Sequence, residues 1–150
     1  MIDRVVSSEA ENLILVNSND EIIGELDKGQ CHDGIGVLHR AFSVFLFDQD
    51  NHLLIQKRSD NKRLWPGYWA NSCCSHPRVG ETMEQATQRR LVEEVGVSCP
   101  LTYAYKFEYH AQFGDIGAEH ELCYVYLGRV LPTKVDVNPT EVAKVAWVSL

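Results

Sequence analysis

The stretch Asn71-Ser72-Cys73-Cys74-Ser75-His76-Pro77 sets two adjacent thiols and an imidazole directly after the tryptophans of "LWPGYWA". That grouping suits half of a metal knuckle, a redox pair or a reactive thiol, and equally a packed loop that buries its cysteines. In "EHE", alternation along a strand sends Glu119 and Glu121 to one face and His120 to the other. Two carboxylates on one face repel, and a bound cation is one arrangement that relieves them; a solvent-facing acidic strand is the other. His32 and His39 flank "DGIGVL". With His76 and the two glutamates they make a five-ligand set with one position open. Such a set suits Mn²⁺, Mg²⁺ or Zn²⁺ rather than a closed structural zinc site. His52, in a polar turn, and His110 carry no such argument.

A second chemistry concerns anions. The segment "QKRSDNKR", residues 56–63, sets Lys57, Arg58, Lys62 and Arg63 against Asp60 alone, in a chain whose net charge is −7. It reads as a local site for a small anion or as a solvated loop. The overall charge argues against nucleic acid as a partner. No apolar run approaches the roughly 20 residues that span a bilayer, so no membrane is expected. The start lacks a secretory pattern, which makes a cytoplasmic protein the expectation. The five cysteines (31, 73, 74, 99 and 123) then read as packing, metal or catalytic residues rather than disulfides.

These side chains need elements to place them. "NLILVNSNDEIIGEL" has the pattern of a hairpin, and a second runs from Ala41–Phe47 through a turn at Asp48–His52 to Leu53–Gln56. "PGYWANSCCSHP" is a loop or short strand. Met83, Ala86, Leu91 and Val95 recur at helical spacing and predict a helix over about Thr82–Val95, with Gly96 as its C-terminal cap. "CPLTYAYKFEYHAQF" and "AEHELCYVYLGRVL" read as strands, Pro132–Thr140 as a loop, and "EVAKVAWVSL" as the start of another element. The expected fold is α/β (α+β), a mixed sheet flanked by helices. Residues 1–150 read as one domain, and a form truncated at the C-terminus is an open alternative.

The helix carries a more specific signal. From Glu81 through Arg89, Glu93 and Glu94 to Gly96 and Val97, its spacing resembles most of the Nudix box, whose glutamates bind Mg²⁺ facing a diphosphate. Ser75 stands where the box begins with glycine, and Arg90 where a glutamate follows the arginine. A cation there removes a metal ligand and repels metal, which disfavours hydrolysis, while it can still meet a diphosphate.

Taken together, "HDGIGVLHRAFS", "WPGYWANSCCSHP", "RRLVEEVG" and "EHE" resemble type I isopentenyl-diphosphate isomerases, a divergent Nudix branch. The resemblance implies a small homoallylic or allylic diphosphate as substrate and a C=C shift by protonation and deprotonation. It implies that His32, His39, His76, Glu119 and Glu121 hold a divalent metal. Glu94 would help bind a second Mg²⁺ on the diphosphate, and Lys28, Arg58, Lys62 and Arg90 would contact the phosphates. Cys74, Glu121 and Tyr109 take the catalytic positions: Glu121, aided by Tyr109, would protonate the alkene while Cys74, as thiolate, removes the second proton. Trp69, with Trp65 beside it, would wall the pocket and offer a π face to the carbocation. Cys73 matches no functional position. A Nudix-type diphosphate hydrolase and a catalytically incompetent metal-binding form are the alternatives. The sequence leaves oligomeric state open.

Overall fold

The computed structural model describes residues 2–150. Strands β1 (Asn12–Val16) and β2 (Ile22–Asp27) form the first expected hairpin and lead into a one-turn helix α1 (Lys28–Cys31), capped by the Asp27 side chain. Strand β3 (His39–Phe47) turns into β4 (Leu53–Arg58), and two short strands follow, β5 (Trp69–Ala70) and β6 (Cys73–Ser75). Helix α2 (Met83–Val95) precedes the long hairpin of β7 (Leu101–Phe113) and β8 (Gly117–Arg129); β9 (Val142–Val148) ends the regular structure.

The nine strands among the described residues belong to one mixed sheet. Its centre is the parallel pair β3–β8, in register from His39 opposite Glu121 to Phe47 opposite Arg129. β6 lies antiparallel on the other side of β3, and β9 pairs with β4. β3 alternates in the expected way: Phe42, Val44 and Leu46 are buried against Leu54, Cys73 and the α2 residues Ala86, Leu91 and Val95. That contact face explains why α2 forms where its apolar spacing predicts. Thr82 and Gln85 close its N-terminus as a capping box, and Gly96 ends it in the left-handed conformation at φ 71°. A Cβ at Gly96 would stand 2.5 Å from the Asp136 carbonyl oxygen, so glycine is required there.

Two expectations are refined. Helices flank the sheet sparsely, since α2 is the only α-helix longer than one turn among the described residues. The helical turn α1 was not expected, because four residues are too few to show a period. No helix among the described residues is long and apolar enough to cross a membrane.

Candidate active site

The cap of α1 and the ends of β3 and β6 deliver three histidines to one point. His32 follows α1, His39 opens β3 and His76 follows β6; their ring centroids lie 5.2, 5.5 and 5.3 Å apart. The register of β3 with β8 adds Glu121, whose Oε2 is 3.1 Å from His39 Nε2. All four side chains are buried, with one ligand atom from each lying within 4.8 Å of the others. Gly117 tightens the arrangement. The Ala118 N–H donates to the His32 carbonyl at 2.9 Å, and a Cβ on Gly117 would stand 2.4 Å from that oxygen.

The donors suit a divalent cation. His32 Nε2 and His76 Nδ1 are buried without a hydrogen-bond partner, a costly state that a metal ion relieves. Burial would raise the Glu121 carboxyl, but the neighbouring His32 and His39 hold it well below the usual carboxylate range. Burial would lower His39, and Glu121 raises it in return. His76, buried and facing His39, is held neutral, well below the usual imidazole range. His39 and Glu121 thus each favour the other's charged form.

Glu119 stands one step outside this cluster. Its Oε2 is 2.8 Å from the Tyr109 hydroxyl, which also lies 2.5 Å from Glu121 Oε1; Tyr109 reaches them from β7, in register opposite Glu121. Burial, then the charge of Glu121, pushes Glu119 up to about 7, while Tyr109 is pushed further above its ordinary value by burial and both carboxylates. One hydroxyl proton cannot satisfy two carboxylates. A protonated Glu119 resolves this by donating to the tyrosine oxygen, whose own proton goes to Glu121. The structure thus brings together four of the five expected ligands and sets Glu119 at the end of a hydrogen-bonded chain leading to the fourth.

Strand alternation separates the two adjacent cysteines. Cys73 points into the core, and Cys74 faces a cavity of about 470 Å³. Cys74 Sγ donates to Asn71 Oδ1 at 2.6 Å and lies 3.5 Å from Ser43 Oγ. The Cys74 residue is exposed toward that cavity. Desolvation by the surrounding protein pushes its thiol up to about 12, with the Ser43 hydrogen bond offsetting part of the effect. These surroundings favour the neutral thiol over the thiolate.

Across the cavity stand the cations. Lys28, Arg58, Lys62 and Arg90 all line it, as do Trp65, Trp69, Tyr109, Glu119 and Glu121. Burial, then the neighbouring Lys62, lowers the Lys28 ammonium. Arg58 donates from Nε and Nη2 to the Leu64 carbonyl at 3.1 and 2.9 Å, which fixes the loop after β4. Trp69 is half exposed and meets the Lys144 ammonium 5.8 Å from its ring centre. Arg63, part of the same basic segment, is instead held by Asp33 and Glu9.

Helix α2 turns two of its charged side chains inward. Arg90 and Glu94 are both buried, with Arg90 Nε donating to Glu94 Oε2 at 2.9 Å; Gln56 donates to the other carboxylate oxygen at 3.1 Å. Glu81 and Glu93 are tied to Arg89 at 2.7 and 2.9 Å. Each carboxylate of the Nudix-like signature is thereby neutralised by an arginine. Glu94 also lines a cavity of about 10 Å³ beside Cys74, room for about one water or ion. Glu141, Ser7 and Ser43 carry no spacing signal in the sequence, because they come from segments distant in the chain; Asn71 stands three residues before Cys74 but its type alone assigns it no role. A further group, Asp48, Asp50 and His52, is a self-satisfied turn in which Asp48 accepts from the backbone of both partners.

The sheet with α2 laid across it defines the class: a model of the NUDIX domain matches residues 37–150. The solved structure of DR0079 from Deinococcus radiodurans aligns with a TM-score of 0.75 at 26% identity, over 93% of this chain and 83% of that one. Similarity to curated proteins is narrower in kind. The chain is 45% identical to isopentenyl-diphosphate Delta-isomerase 2 of Photorhabdus laumondii, over 93% of its own length and 78% of the relative's. It is 36% identical to the isopentenyl-diphosphate Delta-isomerase of Haloarcula marismortui, over 98% and 81%. The chain belongs to the isopentenyl-diphosphate Delta-isomerase family of the Nudix superfamily.

Proposed function

We propose that this chain converts isopentenyl diphosphate into dimethylallyl diphosphate at the cavity between Cys74 and Glu121. The observation that carries this reading is the meeting, in one cavity, of the Cys74 thiol, a carboxylate–tyrosine chain and a cation cluster. An unactivated alkene is a weak base, so a positioned acid must protonate it, and a base elsewhere must remove a different proton. Cys74, held as a thiol, supports the acid role; ionised Glu121, linked through Tyr109 to Glu119, supports the role of acceptor. This reverses the assignment expected from the sequence. Lys28, Arg58, Lys62 and Arg90 would hold the diphosphate and so fix the alkene between the two groups. Trp65 and Trp69 would limit water, which otherwise captures a tertiary carbocation as an alcohol.

The family and the donor set imply dependence on a divalent metal. His32, His39, His76 and Glu121 would hold Mn²⁺, Mg²⁺ or Zn²⁺, with Glu119 free to join, and Glu94 would meet a Mg²⁺ carried by the diphosphate once Arg90 turns to the phosphates. A bound metal supplies positive charge that fixes Glu121 as its carboxylate and orders the three imidazoles. The hydrolase reading is weaker, because Arg89 and Arg90 occupy the carboxylates it requires. The cytoplasm is the proposed location.

Replacing Cys74 with alanine tests the assignment. Isomerisation should fall by at least 10³-fold, in the range expected for loss of a positioned proton donor, while thermal stability stays near wild type. Turnover that survives this substitution contradicts the role, and phosphate release that survives it favours the hydrolase.

A further inference from the structure

Glu141 lines both cavities and is 4% exposed, yet neither the metal set nor the proton-transfer pair uses it. Its carboxylate sits among the cations. Lys62 Nζ donates to Oε2 at 2.5 Å, and Arg90 Nη2 lies 3.5 Å from the same oxygen. The Ser7 hydroxyl donates to Oε1. The Ser59 N–H donates to the Glu141 carbonyl at 3.0 Å, which fixes the residue against the segment that carries Arg58 and Lys62. Burial would raise this carboxyl, but Lys62 and Arg90 bring it down to about 2, so it is charged at neutral pH.

Three of the cations around the cavity, Lys28, Lys62 and Arg90, repel one another, and Lys28 already responds to the other two. Glu141 is the anion that lies between Lys62 and Arg90. A diphosphate that approaches the same ammonium and guanidinium meets a buried carboxylate competing for their protons, and two anions cannot share them without like-charge repulsion.

We propose that Glu141 is an internal stand-in for a phosphate, which orders Lys62 and Arg90 and is displaced from them when the diphosphate enters. The inference rests on the reading of the cation cluster as the diphosphate site. It makes Glu141 a specificity-determining residue. Its charge penalises bare diphosphate more than diphosphate already neutralised by a divalent cation, so it selects the metal-bound form. Ser7, from the segment before β1, holds the carboxylate in place.

Calorimetric titration with inorganic pyrophosphate at pH 7, with and without Mg²⁺, tests this in wild type, Glu141→Gln and Ser7→Ala. In Glu141→Gln, free pyrophosphate should bind at least tenfold more tightly than in wild type, with a smaller gain when Mg²⁺ is present. Ser7→Ala should shift affinity severalfold in the same direction. Unchanged or weaker binding by folded Glu141→Gln overturns the proposal; if that variant does not fold, the same result in Ser7→Ala does so. A wild type that ignores pyrophosphate, or whose binding survives both Arg58→Ala and Lys62→Ala, overturns the cation-cluster reading itself, and this inference with it.

Discussion

Three imidazoles and a carboxylate, buried with two ring nitrogens unpartnered, form a donor set that a divalent metal would satisfy. A ligand that binds only the folded form stabilises it by mass action. Adding a divalent metal to the chelated protein should therefore raise its melting temperature. His32→Ala or His76→Ala should remove most of that rise, measured by calorimetry. An unchanged rise in both variants would move the metal elsewhere. Glu141 makes a prediction with a definite sign. Its folded value of about 2 lies below its ordinary 4.5, so its stabilisation is complete above pH 4.5 and is lost as pH falls toward 2. The size is on the order of 3 kcal/mol at 1.36 kcal/mol per unit. Urea denaturation across that window should show a flatter profile for Glu141→Gln; identical profiles would mean that the carboxylate is not paired as described. Residue type alone could not separate Cys73 from Cys74, since one step of strand alternation decides which faces the core. The pairing of Glu119 with Glu121 was legible because a two-residue period is a local fact.

Elements explain how these residues hold their positions. The apolar spacing of α2 was legible in the sequence because Met83, Ala86, Leu91 and Val95 all meet one packed layer. What that spacing could not show was the polar side of the helix. Arg90 and Glu94 look like an exposed pair until Gln56, from β4, and Glu141, just before β9, close over them. Gly117 gives a prediction at this scale. Its α-hydrogen faces the His32 carbonyl too closely for a Cβ, so Gly117→Ala must move the α1 cap away from β8. Metal affinity should fall at least tenfold while α2 and its core stay intact, as followed by metal titration and by circular dichroism. Metal affinity equal to wild type would mean that the approach does not position His32. Gly96→Ala should instead lower stability by roughly 2 kcal/mol through its left-handed backbone and the Asp136 contact, without changing metal affinity.

At the scale of the whole molecule, one mixed sheet gathers groups spread from Lys28 to Glu141. β3 is the hub, because it carries His39 beside Glu121 on one side and Ser43 beside Cys74 on the other. Hairpins and strands were legible from alternation and turn residues, since both are short-range. The parallel pairing of β3 with β8 was not, for it joins segments 82 residues apart between His39 and Glu121. The site could therefore be named by resemblance before its geometry was known, but the acid and base assigned there rested on the resemblance alone, and the surroundings of Cys74 and Glu121 favour the reverse order. The most direct test is proton NMR of the protein with isopentenyl diphosphate and Mg²⁺ in deuterated water. Dimethylallyl diphosphate carrying solvent deuterium is the predicted result, and it should vanish in Cys74→Ala. Product formed without deuterium, or phosphate released in its place, would contradict protonation and deprotonation at this cavity.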